Sequence, residues 1–328
     1  MQGPEYLFFS GKGGVGKTSL AAATALQLAR EGKRVLIVSI DPAHSLADSF
    51  AQRIGPATTL LEKNLWGVEI DPAQSMASLR ERLAPRMEGM GMLKGLGMEG
   101  ALDIAGMTPG IDEVAAFEAF VSFLEDERYD CIVFDTAPTG HALRFLSLPD
   151  VLDSWIGKVL AIRQQLQGML GMFRKLLGDE PAGTGDYLEV LKERIARARE
   201  VLTDPARTHF ILVLIPEAMS VLESRRALRT LEGHRIPVER VMVNQLLPPG
   251  GCGLCAQRRR QQQARLQEIR KAFRLPVAEV TLLPEEVRGK RMLTQVGTMI
   301  RAQWPAGPAL PRPGRGSRPR GRAGSRSR

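Results

Sequence analysis

Residues 6–18 read Tyr6-Leu7-Phe8-Phe9-Ser10-Gly11-Lys12-Gly13-Gly14-Val15-Gly16-Lys17-Thr18. A short apolar run, strand-like in composition, enters a glycine-rich segment that fits G-x-x-x-x-G-K-[ST]. Ser19 to Arg30 follows, rich in alanine and leucine and closed by Gly32, so it reads as a helix. Strand, loop and helix in this order form a nucleotide triphosphate cradle. Glycine lets backbone N–H groups approach the phosphates without obstruction, and the helix start adds its positive end. The predicted contacts are Gly11, Gly13, Gly14, Val15, Gly16, Lys17, Thr18 and Ser19. Lys17 supplies charge to the outer phosphates, and the Thr18 hydroxyl suits Mg²⁺. Lys12 is a second lysine that the general pattern does not demand.

Working outward, apolar runs at Tyr6–Phe9, Arg34–Ile40, Cys131–Phe134, Phe210–Ile215, Val241–Val243 and Ala278–Leu282 alternate with helical stretches. That alternation predicts an α/β fold: a doubly wound, mostly parallel sheet covered on both faces. Two segments do not fit the alternation. Residues 76–115 and 151–200 are apolar at helical spacing, and seven of the thirteen methionines fall within 87–107 and 169–172. They predict a helical insert subdomain. Methionine's flexibility, with glycines between, suits a groove for varied apolar ligands, although an ordinary core with methionine as filler fits the same pattern.

Two aspartates follow strand-like runs, where the ligand edge of a parallel sheet lies. Asp41, in Asp41-Pro42-Ala43-His44, is placed to orient a water for attack on the γ-phosphate. Asp135, in Asp135-Thr136-Ala137-Pro138-Thr139-Gly140-His141, follows its strand as a Mg²⁺-holding acid does. Each alone is equally a helix cap or a turn former. Beside the phosphate loop they point to phosphoryl transfer.

Composition bounds the rest. The chain has 328 residues, 44% hydrophobic, and a formal net charge of +9. Residues 305–328 hold seven arginines and no acidic residue, which leaves only +2 for residues 1–304. This Pro/Gly/Ser/Arg tail is expected to be disordered, so the basic balance gives no reason to expect a specific nucleic-acid partner. No signal peptide and no membrane-spanning run is read, and cysteines are three, which fits a cytoplasmic protein, peripheral at the membrane at most. The domain reading is therefore 1–304 for one ATPase domain with its inserts and 305–328 for the tail.

Cys252 and Cys255 form a single C-x-x-C behind Pro248-Pro249-Gly250-Gly251. One pair cannot fill a four-ligand zinc site, but two pairs across a two-fold axis can; a redox dithiol and two bystander thiols are the alternatives. Cys131 lies in an apolar run and reads as an inert buried thiol.

The phosphate loop, Asp41-Pro42-Ala43-His44 and the Asp135–His141 string together resemble the family of arsenite-pump ATPases and tail-anchored-protein targeting ATPases. The resemblance continues through Ile215-Pro216-Glu217, Val243-Asn244-Gln245-Leu246-Leu247, Cys252-Gly253-Leu254-Cys255 and Leu283-Pro284-Glu285-Glu286-Val287-Arg288-Gly289, so it spans roughly residues 5–300. It implies an ATP-hydrolysing homodimer in which Lys12 reaches the partner's nucleotide and Asp41 activates water. It further implies that Thr18 and Asp135 hold Mg²⁺ and that Glu217, Asn244 and Pro284 contact the nucleotide, with Asn244 reading adenine. Cys252 and Cys255 are implied to share Zn²⁺ across the dimer. The insert segments contain no cysteine, and the chain has one phosphate loop rather than two. Both features argue against arsenite, a soft three-thiolate ligand, as cargo. The leading expectation is an ATP-switched binder of hydrophobic membrane-protein segments, with a membrane receptor or a pump subunit as a further partner. The alternatives are the catalytic subunit of an arsenite efflux pump and a redox-sensing holdase chaperone.

Overall fold

The computed structural model describes residues 3–40, 45–70, 120–136 and 184–304. Eight strands form one sheet: β1 Glu5–Ser10, β2 Val35–Ser39, β3 Thr59–Glu62, β4 Leu65–Glu69, β5 Cys131–Asp135, β6 Thr208–Leu214, β7 Val238–Leu246 and β8 Val277–Thr281. Their spatial order is β3-β4-β2-β5-β1-β6-β7-β8. All pairings are parallel except β3 with β4. The expected doubly wound α/β sheet is present. It is wider than the six apolar runs predicted, by the β3–β4 hairpin at one edge.

Among the described residues six helices are complete: α1 Lys17–Arg30, α2 Ser45–Phe50, α3 Thr184–Thr203, α4 Ala218–Gly233, α5 Gly253–Phe273 and α6 Gly289–Gln303. They divide between two apolar layers. One face of the sheet packs under α3, α4 and α5 through Ala198, Leu202, Val221, Leu228, Leu231, Leu266 and Ile269. The other packs under α1 and α6 through Leu20, Leu26, Leu293 and Val296. The strands are buried on both sides, as parallel strands between helices must be. Ala198 sits within the range 151–200, so the helical cover of the sheet reaches back into a stretch read as insert. The remaining insert residues, 76–115 and 151–183, lie outside the described residues, as does the tail 305–328.

The centre of the sheet is aromatic. Phe8 on β1 pairs in register with Phe134 on β5 and Phe210 on β6. Its ring stacks on both, at centroid distances of 4.7 and 4.6 Å. Each such pair adds roughly 0.5–1.5 kcal/mol beyond the area buried. This ladder fixes the register of the three strands whose carboxyl ends flank the glycine loop. Among the described residues, no helix is long and apolar enough to cross a membrane.

Candidate functional site

Parallel strands deliver their carboxyl ends to one edge, and β1 lies between β5 and β6. The loop of residues 11–16 leaves β1 at that central point, where open α/β sheets form their binding crevice. Gly11 is required by contact. A Cβ there would stand 2.1 Å from the Val213 carbonyl oxygen of β6. Gly16, at φ 89°, takes a left-handed conformation and caps α1 without a side chain. The first-turn N–H groups of α1 thus have no side-chain competitor for an anion.

Polar groups from other strands close on this loop. The Thr18 hydroxyl donates to Asp135 Oδ2 at 2.7 Å and lies 2.9 Å from the Ser45 hydroxyl. Asp135, fully buried, ends β5 in register with Phe9 and Ser39. Ser39 also donates to its Oδ2, at 3.4 Å. A hydroxyl and a carboxylate side by side are hard oxygen donors and fit Mg²⁺. Lys17 is buried and donates to the Lys12 carbonyl at 3.3 Å, so its ammonium is folded back over the loop. Lys12 points away from its own loop. Its ammonium sits 3.5 Å from Glu223 on α4 and is partly exposed.

Strand β7 braces the loop from the other side. Asn244 donates to the Val15 carbonyl at 2.9 Å, and Gln245 donates to that of Gly14 at 3.4 Å. Gln245 has φ 61°. Gln262 of α5 holds this kink, donating to the Gln245 carbonyl at 3.1 Å and accepting from the Leu247 N–H at 2.9 Å. Glu217 occupies the residue before α4 and pairs loosely with Arg258 at 3.9 Å. Pro284 is exposed, in the stretch between β8 and α6 that starts where the Leu282 N–H bonds to the Leu246 carbonyl at 2.8 Å. Asp41 lies outside the described residues.

Several contributors carried no signal in the sequence. Glu69, at the end of β4 and 4% exposed, accepts from the Leu46 and Ala47 N–H groups at 3.0 and 2.9 Å. It thereby anchors the start of α2, directly after the 41–44 segment. Ser45, Glu223 and Gln262 join it. A polar residue at a strand end or on a helix announces nothing until its distant partner is known.

Cys252 and Cys255 stand apart from the loop. Gly250 and Gly251, at φ 95° and 90°, turn the chain into α5, and a Cβ on Gly251 would press on Cys255 at 2.9 Å. The two sulfurs are 3.5 Å apart. The Cys252 thiol is held below its ordinary pKa, first by the Cys255 N–H, then by the Cys255 thiol and the Leu254 N–H. One favoured thiolate with a second sulfur beside it suits zinc, whose tetrahedral thiolate ligands stand about 3.8 Å apart at bond lengths of about 2.3 Å. Among the described residues no group of three or more candidate ligands occurs, so the pair is at most half of a structural site. Cys131 is fully buried, and burial pushes its thiol pKa well up.

The comparisons with known proteins agree in kind. The model of the anion-transporting ATPase family matches residues 4–302. ATPase GET3B of Arabidopsis thaliana is 38% identical over 327 residues, covering 90% of this chain and 78% of its own. ATPase GET3 of Podospora anserina is 38% identical over 308 residues, covering 90% of each chain. ATPase GET3 of Chaetomium globosum is 37% identical over 307 residues, covering 90% of this chain and 89% of its own.

Proposed function

We propose that this chain, which belongs to the anion-transporting ATPase family and hydrolyses ATP, works as a homodimer that uses the nucleotide to open and close a binding surface for hydrophobic membrane-protein segments. The observation that carries the reading is the junction at Thr18. One hydroxyl links the phosphate loop, the end of β5 and, through Ser45, the segment that follows Asp41. A change at the γ-phosphate would therefore be felt at once by two chain segments that lead toward the inserts.

In this reading, ATP lies along the loop with its phosphates on the N–H groups of residues 13–19. Lys17 leaves the Lys12 carbonyl for the outer phosphates. Mg²⁺, held by Thr18 and Asp135, would neutralise phosphate charge as it builds toward the transition state. Asp41 orients the attacking water and accepts its proton. Lys12, turned outward and partly exposed, is free to exchange Glu223 for the nucleotide of a second subunit. Asn244 offers both a donor and an acceptor to the adenine edge once it leaves the Val15 carbonyl. Glu217 and Pro284 flank that side. The Met-rich stretches of 76–115 and 151–200 receive the client, whose release follows hydrolysis.

The cysteine pair supports dimerisation through shared zinc. A second reading, a redox-sensing holdase, draws on the same lowered Cys252 thiol and adjacent sulfurs.

One experiment tests the main reading. The Asp41→Asn variant, purified with ATP and Mg²⁺, is expected to bind ATP, to turn it over at least about 10²-fold more slowly, and to retain polypeptides bearing a membrane helix. Unchanged turnover removes Asp41 from its role. Arsenite-stimulated turnover in the unmodified protein, with no such polypeptide retained, replaces the cargo.

A further inference from the structure

The net charge conceals a division within the folded part. Residues 218–274 hold twelve arginines and lysines against four acidic residues. With the seven tail arginines set aside, all other residues together are net acidic, by six charges. The cations of 218–274 lie mostly on α4 and α5, two helices packed side by side on the same face of the sheet. Arg225, Arg226 and Arg229 of α4 are exposed, as are Arg260 and Lys271 of α5 and Arg274 just past its end. None of the six makes an ion pair with a described residue. Arg225 and Arg229 are four residues apart, and Arg226 and Arg229 three, so the stripe repels itself along the helix. Of the glutamates on these helices, Glu223 pairs with Lys12 and Glu268 with Arg265, which leaves Glu232 as the acidic residue on the exposed face of α4.

We infer that the outer face of α4 and α5 is a docking surface for an anionic phospholipid bilayer. The extent of the array favours a lamellar partner. Arg260 and Lys271 are eleven residues apart on α5, about 16 Å at the rise of an α-helix, and Arg274 follows just past its end. Leu222, 47% exposed, continues the α4 stripe at the position before its arginines, and arginine beside an exposed aliphatic side chain fits a headgroup boundary. The exposed large hydrophobics of the described residues include no aromatic ring on which a nucleic-acid base would stack. The inference goes beyond the ATPase reading and stands whatever the client is.

The test is sedimentation of the full chain with vesicles of phosphatidylcholine and phosphatidylglycerol, against phosphatidylcholine alone, at low and physiological salt. Binding only to the anionic vesicles, weakening with salt, is expected. Arg225→Gln, Arg226→Gln, Arg229→Gln, Arg260→Gln and Lys271→Gln together are expected to lower partitioning roughly tenfold or more and to leave ATP hydrolysis unchanged. Lysine in place of the four arginines is expected to bind as the original does, which separates charge from a folding defect. A second variant replaces the seven tail arginines by glutamine. The inference fails if the helix variant binds like the original, or if the tail variant alone abolishes binding. It also fails if an RNA or an acidic polypeptide displaces the protein from the vesicles.

Discussion

Glu69 shows how much one buried carboxylate organises. Its Oε1 accepts two N–H groups at the start of α2, where a negative charge also meets the favourable end of the helix dipole. A hydrogen bond to a charged acceptor contributes about 1.5–3 kcal/mol, and its loss would leave the 45–47 backbone free to drift. Ser45 would then lose its place beside Thr18. Glu69 is a positioning residue, two steps removed from the phosphates. Glu69→Ala is expected to lower kcat by about tenfold or more, in line with roughly 1.4 kcal/mol of lost positioning, while the KM for ATP changes little. Glu69→Gln keeps an acceptor oxygen and is expected to recover most of the rate. Equal activity of all three proteins would show that α2 is held by other contacts. At the same scale, the depressed Cys252 thiol has a chemical consequence. Its thiolate persists at pH values where an ordinary thiol is protonated and is lost as pH falls through the lowered pKa. Alkylation of Cys252 in the metal-stripped native protein is expected to outpace that of Cys131 at neutral pH and to lose the advantage on unfolding.

Elements were legible in proportion to how local their causes are. β1, β2, β5 and β6 are apolar throughout most of their length, and the glycine loop depends only on residues adjacent in the chain. The β3–β4 hairpin was not read. Its strands are short, Thr59-Leu60-Leu61-Glu62 lacks a clean alternation, and the turn is signalled only by Asn64, at φ 63°. β7 was read too short because Glu239, Arg240, Asn244 and Gln245 are polar, and their partners are distant in sequence or set by the fold: His209 of β6 for Glu239, the Trp304 ring for Arg240, the glycine loop for Asn244 and Gln245, and Gln262 of α5 for Gln245. Helix packing contains a similar case. Glycine inside α6 should weaken it, so Gly297→Ala would ordinarily stabilise the protein by roughly 0.5–1 kcal/mol. Here a Cβ would stand 2.8 Å from the Ala23 carbonyl oxygen of α1. The expected sign is reversed: Gly297→Ala is expected to destabilise by about 1–3 kcal/mol, read as a lower midpoint in urea. A higher midpoint would mean that α1 and α6 separate at little cost.

For the whole molecule, the proposed dimer makes a stoichiometric prediction. Purified protein is expected to carry one zinc ion for every two chains, and Cys252→Ser with Cys255→Ser is expected to remove the metal and shift the protein toward monomer in sedimentation. Zinc-free dimers of unchanged affinity would leave the pair to redox chemistry. The overall charge is equally a statement about arrangement: a chain whose sum is +9 has a net acidic remainder once the tail and 218–274 are set aside.

The position of β1 carries a consequence for how the protein is made. Tyr6 pairs with Ile132 on one side and with Thr208 on the other, so β1 waits for two neighbours that are both made after it. A ribosome adding about 5–20 residues each second needs roughly 10–40 s to pass from the end of β1 to the end of β6. For most of that interval the glycine loop exists but lacks its second wall, Val213 included. Nucleotide capture is therefore a late event in biogenesis, and a nascent chain halted before residue 208 is expected to have no affinity for ATP.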